Sequence, residues 1–214
     1  MTDHRQVRGY VGLGANLGDA AATLARAVRE LGGLPGVRLR GISRLYATAP
    51  WGVTDQAEFR NAVVALDVAA GSTPGEGALE LLGRLKVLER AAGRRAEQRW
   101  GPRELDLDLL LFGRHRILVD RPPAAWSVDA DVDPAKAARQ LEVPHRDLGE
   151  RLFVLAPLAD IAPRLVPPGW HESVETRRRR VAAAEAEGAV RVIGRWDAVD
   201  AVWREPAAPG SAQP

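Results

Sequence analysis

The sequence predicts an α+β fold in which a four-stranded antiparallel sheet is covered by two helices on one face, in the order β-α-β-β-α-β. Three observations carry that expectation. Short apolar or alternating runs stand at 9–14, 37–46, 59–68 and 105–112. Two stretches with apolar residues at helical spacing, 20–31 and 77–92, fall after the first run and after the third. Glycine- or proline-bearing turns punctuate all of them.

Gly9-Tyr10-Val11-Gly12-Leu13-Gly14 reads as a buried strand ending in a turn. Asn16 to Asp19 offers a helix start, and the helical spacing from Ala20 to Leu31 ends at Gly32-Gly33. Val37 to Ile42 alternates and continues to Leu45-Tyr46, giving a second strand. Thr48 to Gln56 is loop, broken by Pro50 and Gly52, and Phe59 to Val68 is a third strand. A Gly/Ser/Thr/Pro linker at 71–75 leads to the second helix, Gly77 to Ala92. Gly93 to Pro102 is an arginine-rich loop before the fourth strand, Leu105 to Phe112.

Beyond Phe112 the pattern weakens. Residues 121–140, rich in Pro, Ala and Asp, read as an inserted segment. Leu152 to Ile161 is a short apolar element packed on the core, and His171 to Glu187 is a helix. Residues 1–204 are expected to form one domain with C-terminal additions, and 205–214 a disordered tail.

Composition excludes several classes. With no cysteine there are no disulfides, thiolate metal sites or thiol nucleophiles. No apolar run reaches the roughly 18 residues of a membrane helix. The opening MTDHRQVRGY lacks the apolar core of a secretory signal, so a cytoplasmic protein is expected. The 30 basic residues comprise 28 Arg against only Lys86 and Lys136. Codon usage in a GC-rich genome accounts for most of that excess, and position decides which guanidiniums serve phosphate. The run Arg177 to Arg180 winds around all sides of a helix and reads as solvated charge.

The strongest chemical signal is Arg103-Glu104-Leu105-Asp106-Leu107-Asp108-Leu109-Leu110. Residues two apart on a strand share a face, so Asp106 and Asp108 point together, about 6.6 Å apart between Cα atoms. Such a pair suits Mg²⁺, which takes few protein carboxylates and completes its shell with water and phosphate oxygens. Arg94, Arg95, Arg99 and Arg103 crowd the approach, as a polyphosphate site requires. Phe59 and Asn61 also share a face, an aromatic plate beside an amide that would suit a flat heterocycle. Gly12 to Gly18 is a weak phosphate-loop signal and reads better as a tight turn. Val143-Pro144-His145 with Arg151 and Phe153 completes the candidates. Two other functions fit parts of the pattern: a different Mg²⁺-dependent nucleotidyl or phosphoryl transferase, and an RNA-binding module. Acids rather than stacked aromatics on the last strand weigh against RNA.

Taken together, Gly12-Leu-Gly-Ala-Asn-Leu-Gly-Asp19, Ser43-Arg-Leu-Tyr-Ala-Thr-Ala-Pro50, Gln56 with Phe59-Arg-Asn61, Arg99-Trp-Gly-Pro-Arg-Glu-Leu-Asp-Leu-Asp-Leu-Leu110 and Val143-Pro-His145 with Arg151-Leu-Phe153 resemble 6-hydroxymethyl-7,8-dihydropterin pyrophosphokinases. The resemblance runs from about Gly9 to Pro168. It implies a ferredoxin-like fold and ATP-dependent transfer of diphosphate to the pterin hydroxymethyl group, with AMP released, in folate biosynthesis. It implies two Mg²⁺ ions on Asp106 and Asp108, with Arg94 and Arg103 acting on the triphosphate in catalysis. Nucleotide positions would be Glu89, Arg95, Trp100, Arg103, Leu109, His145 and Arg151. Pterin positions would be Thr48, Ala49, Trp51, Phe59, Asn61 and Phe153, with the ring between Phe59 and Phe153. Ala96 stands where the family has a second loop arginine, Arg95 being the nearest substitute. A monomer acting on small molecules, with no nucleic-acid or membrane partner, is expected.

Overall fold

The computed structural model describes residues 5–50, 55–93, 103–126 and 139–205. In chain order the elements are β1 (Gln6–Ala15), α1 (Ala20–Gly33), β2 (Arg38–Ile42), β3 (Leu45–Thr48), β4 (Phe59–Ala69), α2 (Pro74–Ala91) and β5 (Asp106–Phe112). They are followed by β6 (Ile117–Asp120), β7 (Gln140–Val143), α3 (Leu152–Ile161), α4 (Val174–Ala182), β8 (Val190–Asp197) and β9 (Val202–Arg204). The expected order is present with one change: the second strand, expected to run on from Ile42 to Tyr46, is divided into β2 and β3, and the strands pair antiparallel throughout. The sheet is larger than the four strands expected. It runs β5-β1-β4-β3-β8-β9, with β2 also on β4.

Both covering helices start where side chains can satisfy free N–H groups. Asp19 accepts the Ala22 N–H at 3.0 Å, and Thr73 and Glu76 form a capping box with Pro74 in the first turn. The second helix therefore begins three residues before the expected Gly77, at Pro74. Alternation along β5 sends Leu107 and Leu109, with Leu105 just ahead, into a core shared with Leu24, Val28 and Leu31 of α1 and Leu81, Leu82 and Leu85 of α2. Each buried leucine contributes about 1.5–3 kcal/mol of transfer free energy.

Contrary to expectation, the second face is covered too. Val63 and Leu110 meet Leu155 and Leu158 of α3 and Val174 of α4 in a second core. The expected helix over 171–187 is shorter, Val174–Ala182, and its arginines are paired rather than merely solvated. Arg178 and Arg179 bind Glu175 at 2.7 Å, and Arg177 and Arg180 bind Glu172. The segment 121–140 is a long connection between two short strands. β6 and β7 form a separate two-stranded ribbon, and its ends are tied by the Arg121 N–H to the Arg139 carbonyl at 2.7 Å. Pro123–Ala125 forms a single helical turn that buries Ala125. The expected tail beyond Glu205 lies outside the described residues.

Candidate active site

β5 is an edge strand of the large sheet. Beside it, β1 lies between β4 and β5, and Gly14 pairs with Asn61 on one side and with Asp106 on the other. Asn61, Gly14 and Asp106 thus form a row across three strands. A Cβ on Gly14 would come to 3.3 Å from the Asn61 Oδ1 and 3.9 Å from the Asp106 Cβ. Glycine keeps the floor between the amide and the acid clear. One step along, Gly12 pairs with Asp108. Asp106 and Asp108 are both half-buried on this face, as alternation predicts.

On the β4 side, the Asn61 Nδ2 donates to the Thr48 Oγ1 at 2.6 Å, and both residues are buried. Phe59 pairs with Thr48 and is half-buried. It shares the face of Asn61 and of Val63, which packs against α3. Phe153, in the first turn of α3, is half-buried as well, with the Arg151 guanidinium 5.8 Å from its ring centre. Ala49 is exposed at the end of β3. Arg151 binds Asp147 at 2.5 Å, and the Asp147 N–H donates to the His145 Nδ1 at 3.2 Å. His145 is fixed to β5 by its own N–H on the Leu110 carbonyl at 2.9 Å, after a cis Val143-Pro144 bond. His145, Arg151 and Phe153 are therefore linked from the acid strand to the aromatic plate.

Two of the expected nucleotide residues, Leu109 and Glu89, are buried. The Leu109 side chain is in the core under α1 and α2, so only its backbone can reach the face of Asp106 and Asp108. Glu89 is fully buried against the outer edge of β5. Its Oε1 accepts the Leu107 N–H and the Lys86 Nζ, both at 2.7 Å, while Lys86 also donates to the Leu107 carbonyl at 3.0 Å. Arg94, Arg95, Arg99 and Trp100, together with Trp51, lie outside the described residues.

Asn16 is the residue that sequence reading missed. It is buried, and its Nδ2 donates to the Gln56 Oε1 and the Ala57 carbonyl, both at 3.0 Å. Its Oδ1 accepts the Arg103 N–H at 2.7 Å, and its own N–H donates to the Arg103 carbonyl at 3.0 Å. One side chain joins the end of β1, the loop before Phe59 and the segment entering β5. Arg103, so placed, donates to the Asp106 Oδ2 at 2.8 Å. The signal was a polar residue inside Gly14-Ala15-Asn16-Leu17-Gly18, which also suited a helix start.

Residues 10–163 match the 7,8-dihydro-6-hydroxymethylpterin-pyrophosphokinase (HPPK) family. The chain belongs to that family. A 2-amino-4-hydroxy-6-hydroxymethyldihydropteridine pyrophosphokinase of Methylorubrum extorquens is 42% identical over 185 residues, covering 86% of this chain and 98% of the relative. One from Bacillus subtilis is 39% identical over 152 residues, 71% of this chain and 76% of the relative. Among solved structures, the wild-type HPPK-DHPS of Plasmodium falciparum superposes with a TM-score of 0.67 at 12% identity. That match covers 92% of this chain and 50% of the other, so the chain spans half of that fused protein and shares its HPPK fold.

As an HPPK, the chain is a diphosphotransferase of folate biosynthesis that uses ATP as co-substrate and hydroxymethyldihydropterin as acceptor. The HPPK match ends at 163, so α4, β8 and β9 lie beyond it. They nevertheless touch the site's support. β8 pairs with β3 up to Thr48, and Arg191 binds Glu58, next to Phe59, at 2.7 Å. The hydrogen bond from Arg191 holds the Glu58 carboxyl below its usual range. Among the described residues no helix is long and apolar enough to cross a membrane.

Proposed function

We propose that Asp106 and Asp108 hold two Mg²⁺ ions with the ATP triphosphate, and that the pterin binds one strand-width away. The row Asn61, Gly14, Asp106 carries this reading, because it sets a heterocycle-binding amide beside a metal-binding acid with no side chain between them. The donor set fits. Two carboxylates share a face, and no group of three or more His, Asp or Glu stands together among the described residues. A site of that kind needs phosphate oxygens and water to complete a magnesium shell. Bound there, Mg²⁺ would neutralise charge on the triphosphate.

The chain's own residues do the rest. Arg103, held by Asn16 and paired with Asp106, offers its guanidinium to the triphosphate, with Arg94 and Arg95 of the preceding segment. Trp100, Leu109, His145 and Arg151 face the nucleotide, Leu109 through its backbone. Glu89 acts from behind β5, by fixing Leu107 between the two acids. Thr48, Ala49, Trp51 and Asn61 bind the pterin edge, and Phe59 and Phe153 stack on its faces.

The pterin hydroxymethyl oxygen then attacks the β-phosphorus in line. The bond from that phosphorus to the α,β-bridging oxygen breaks, AMP leaves, and the hydroxyl proton passes to solvent. Mn²⁺ in place of Mg²⁺ tests the metal assignment, read by water-proton relaxation with a non-hydrolysable ATP analogue. Two ions per chain are expected in the wild type and a loss of tight binding in Asp108→Asn. Unchanged Mn²⁺ binding in that variant would refute it.

A further inference from the structure

β8 reaches the wall offered to the pterin along one continuous row. Asp106, Gly14, Asn61, Tyr46 and Val192 are partners in turn on β5, β1, β4, β3 and β8. The next row sets Phe59, Thr48 and Val190 side by side. Directly paired residues share a face, so β8 continues the surface that carries Phe59 and Asn61. Val190 and Val192 pack there against a cluster of Tyr46 with Leu152 and Ala156 of α3.

The row between these two points the other way. Arg60, Ala47 and Arg191 lie side by side on the opposite face, with only a methyl group between the two arginines. Glu58, just ahead of β4, reaches across to Arg191. The Arg191 Nη1 donates to the Glu58 Oε1 at 2.7 Å and its Nη2 to the Oε2 at 2.8 Å, while the Arg60 Nη1 stands 3.5 Å from the Oε2. Two parallel bonds fix the planes of both groups, the geometry in which an exposed ion pair orients its partners. Residues 56–58, which lead into Phe59, are thereby held twice. Asn16 takes Gln56 and Ala57, and Arg191 takes Glu58. Asn16 lies within the HPPK match at 10–163, and Arg191 lies beyond it.

We propose that Arg191 is a positioning residue for the acceptor substrate, acting through Glu58 to hold Phe59 against the pterin ring. Contact between flat rings weakens steeply as a gap opens, so a Phe59 free to shift loses pterin affinity. The acids assigned to ATP stand on β5, two strands from β4, and this pair does not reach them. Lysine in place of Arg191 keeps the charge and loses the fork. This inference rests on the reading of Thr48, Phe59 and Asn61 as pterin residues.

The test uses the full chain as wild type, Arg191→Met, Arg191→Lys, Glu58→Gln, the double variant Arg191→Met with Glu58→Gln, and Phe59→Ala. Calorimetry reads pterin binding in the presence of Mg²⁺ and a non-hydrolysable ATP analogue and, separately, binding of the analogue. Thermal unfolding reads the fold. Arg191→Met should weaken pterin binding about three- to fivefold, the scale of a well-oriented exposed ion pair, with analogue affinity within about twofold of wild type. Arg191→Lys should fall in between. Glu58→Gln should match Arg191→Met, and the double variant should be no weaker than either, because all three remove the same pair. Unchanged pterin affinity in Arg191→Met would overturn the proposal. So would losses that multiply in the double variant, or pterin and analogue affinities that fall together with the unfolding midpoint, which marks a general role in stability. Unchanged pterin affinity in Phe59→Ala would instead bring down the pterin assignment of the wall, and this proposal with it.

Discussion

At the β5 edge of the original sheet the open backbone is closed by side chains, Lys86 and Glu89 taking the Leu107 carbonyl and N–H. At the β3 edge the same task falls to a whole added strand, β8, which brings Arg191 to Glu58. The first closure comes from one helix turn and lies within the family match. The second comes from residues some distance past its end at 163. Both solutions remove a template for unwanted strand pairing. They also support different halves of the reaction. On the proposed reading, the β5 edge carries the acids assigned to ATP, and the β3–β4 side carries the amide and aromatic wall assigned to the pterin. The edge proposed for phosphate chemistry rests on local, short-range packing, whereas the side proposed for the pterin leans on a long-range pairing.

Substitutions can break this division. The largest effect is expected at β5 itself: Asp106→Ala or Asp108→Ala should lower turnover by at least about 10³-fold with the fold intact by circular dichroism. Near-wild-type rates in either variant would remove the acids from the chemistry. Next in size, Glu89→Ala leaves Lys86 buried without its carboxylate and Leu107 without its acceptor. It should destabilise by about 3–5 kcal/mol in urea unfolding. A loss below about 1 kcal/mol would show that the edge does not depend on the pair.

Across the sheet, Phe59→Ala should weaken pterin binding by roughly tenfold or more while leaving nucleotide binding alone, on the scale of aromatic stacking. Equal weakening of both ligands would erase the distinction between the two halves. The smallest effect concerns acid. Arg191 depresses Glu58, Arg8 and then Arg40 depress Asp67, and Arg178 and then Arg179 draw Glu175 down to about 2. A carboxylate with a lowered folded pKa stabilises above its unfolded value and loses that contribution as pH falls through the folded one. Urea midpoints should therefore be level above about pH 5 and decline from there toward pH 2. Stability unchanged down to pH 3 would contradict these pairings.

Much of the β5 half was legible from the chain. Strict alternation from Leu105 to Leu109 separates core from acid face with no tertiary information, because a strand has a period of two. The helix start at Thr73 was written in a capping box but masked by the glycines at 75 and 77, which read as linker. The β3 side was harder. β8 offers only eight residues after an Ala- and Glu-rich stretch, and its identity as a strand depends on the partner edge it finds. β6 and β7 are four residues each, too short for periodicity to show. Asn16 was legible as a polar residue in a turn, but its four hydrogen bonds join segments 40 and 87 positions away, which no local pattern encodes. Glu89 and Leu109 matched site positions by sequence while their side chains serve the strand from behind.

The joining of the two halves is tested most directly by the fate of ATP. The chain is incubated with ATP, Mg²⁺ and 6-hydroxymethyl-7,8-dihydropterin, and the products are separated by chromatography. Attack at the β-phosphorus predicts AMP and a diphosphorylated pterin in equal amounts, and only when the pterin is present. ADP with a monophosphorylated pterin, or pyrophosphate with an adenylated one, would contradict it.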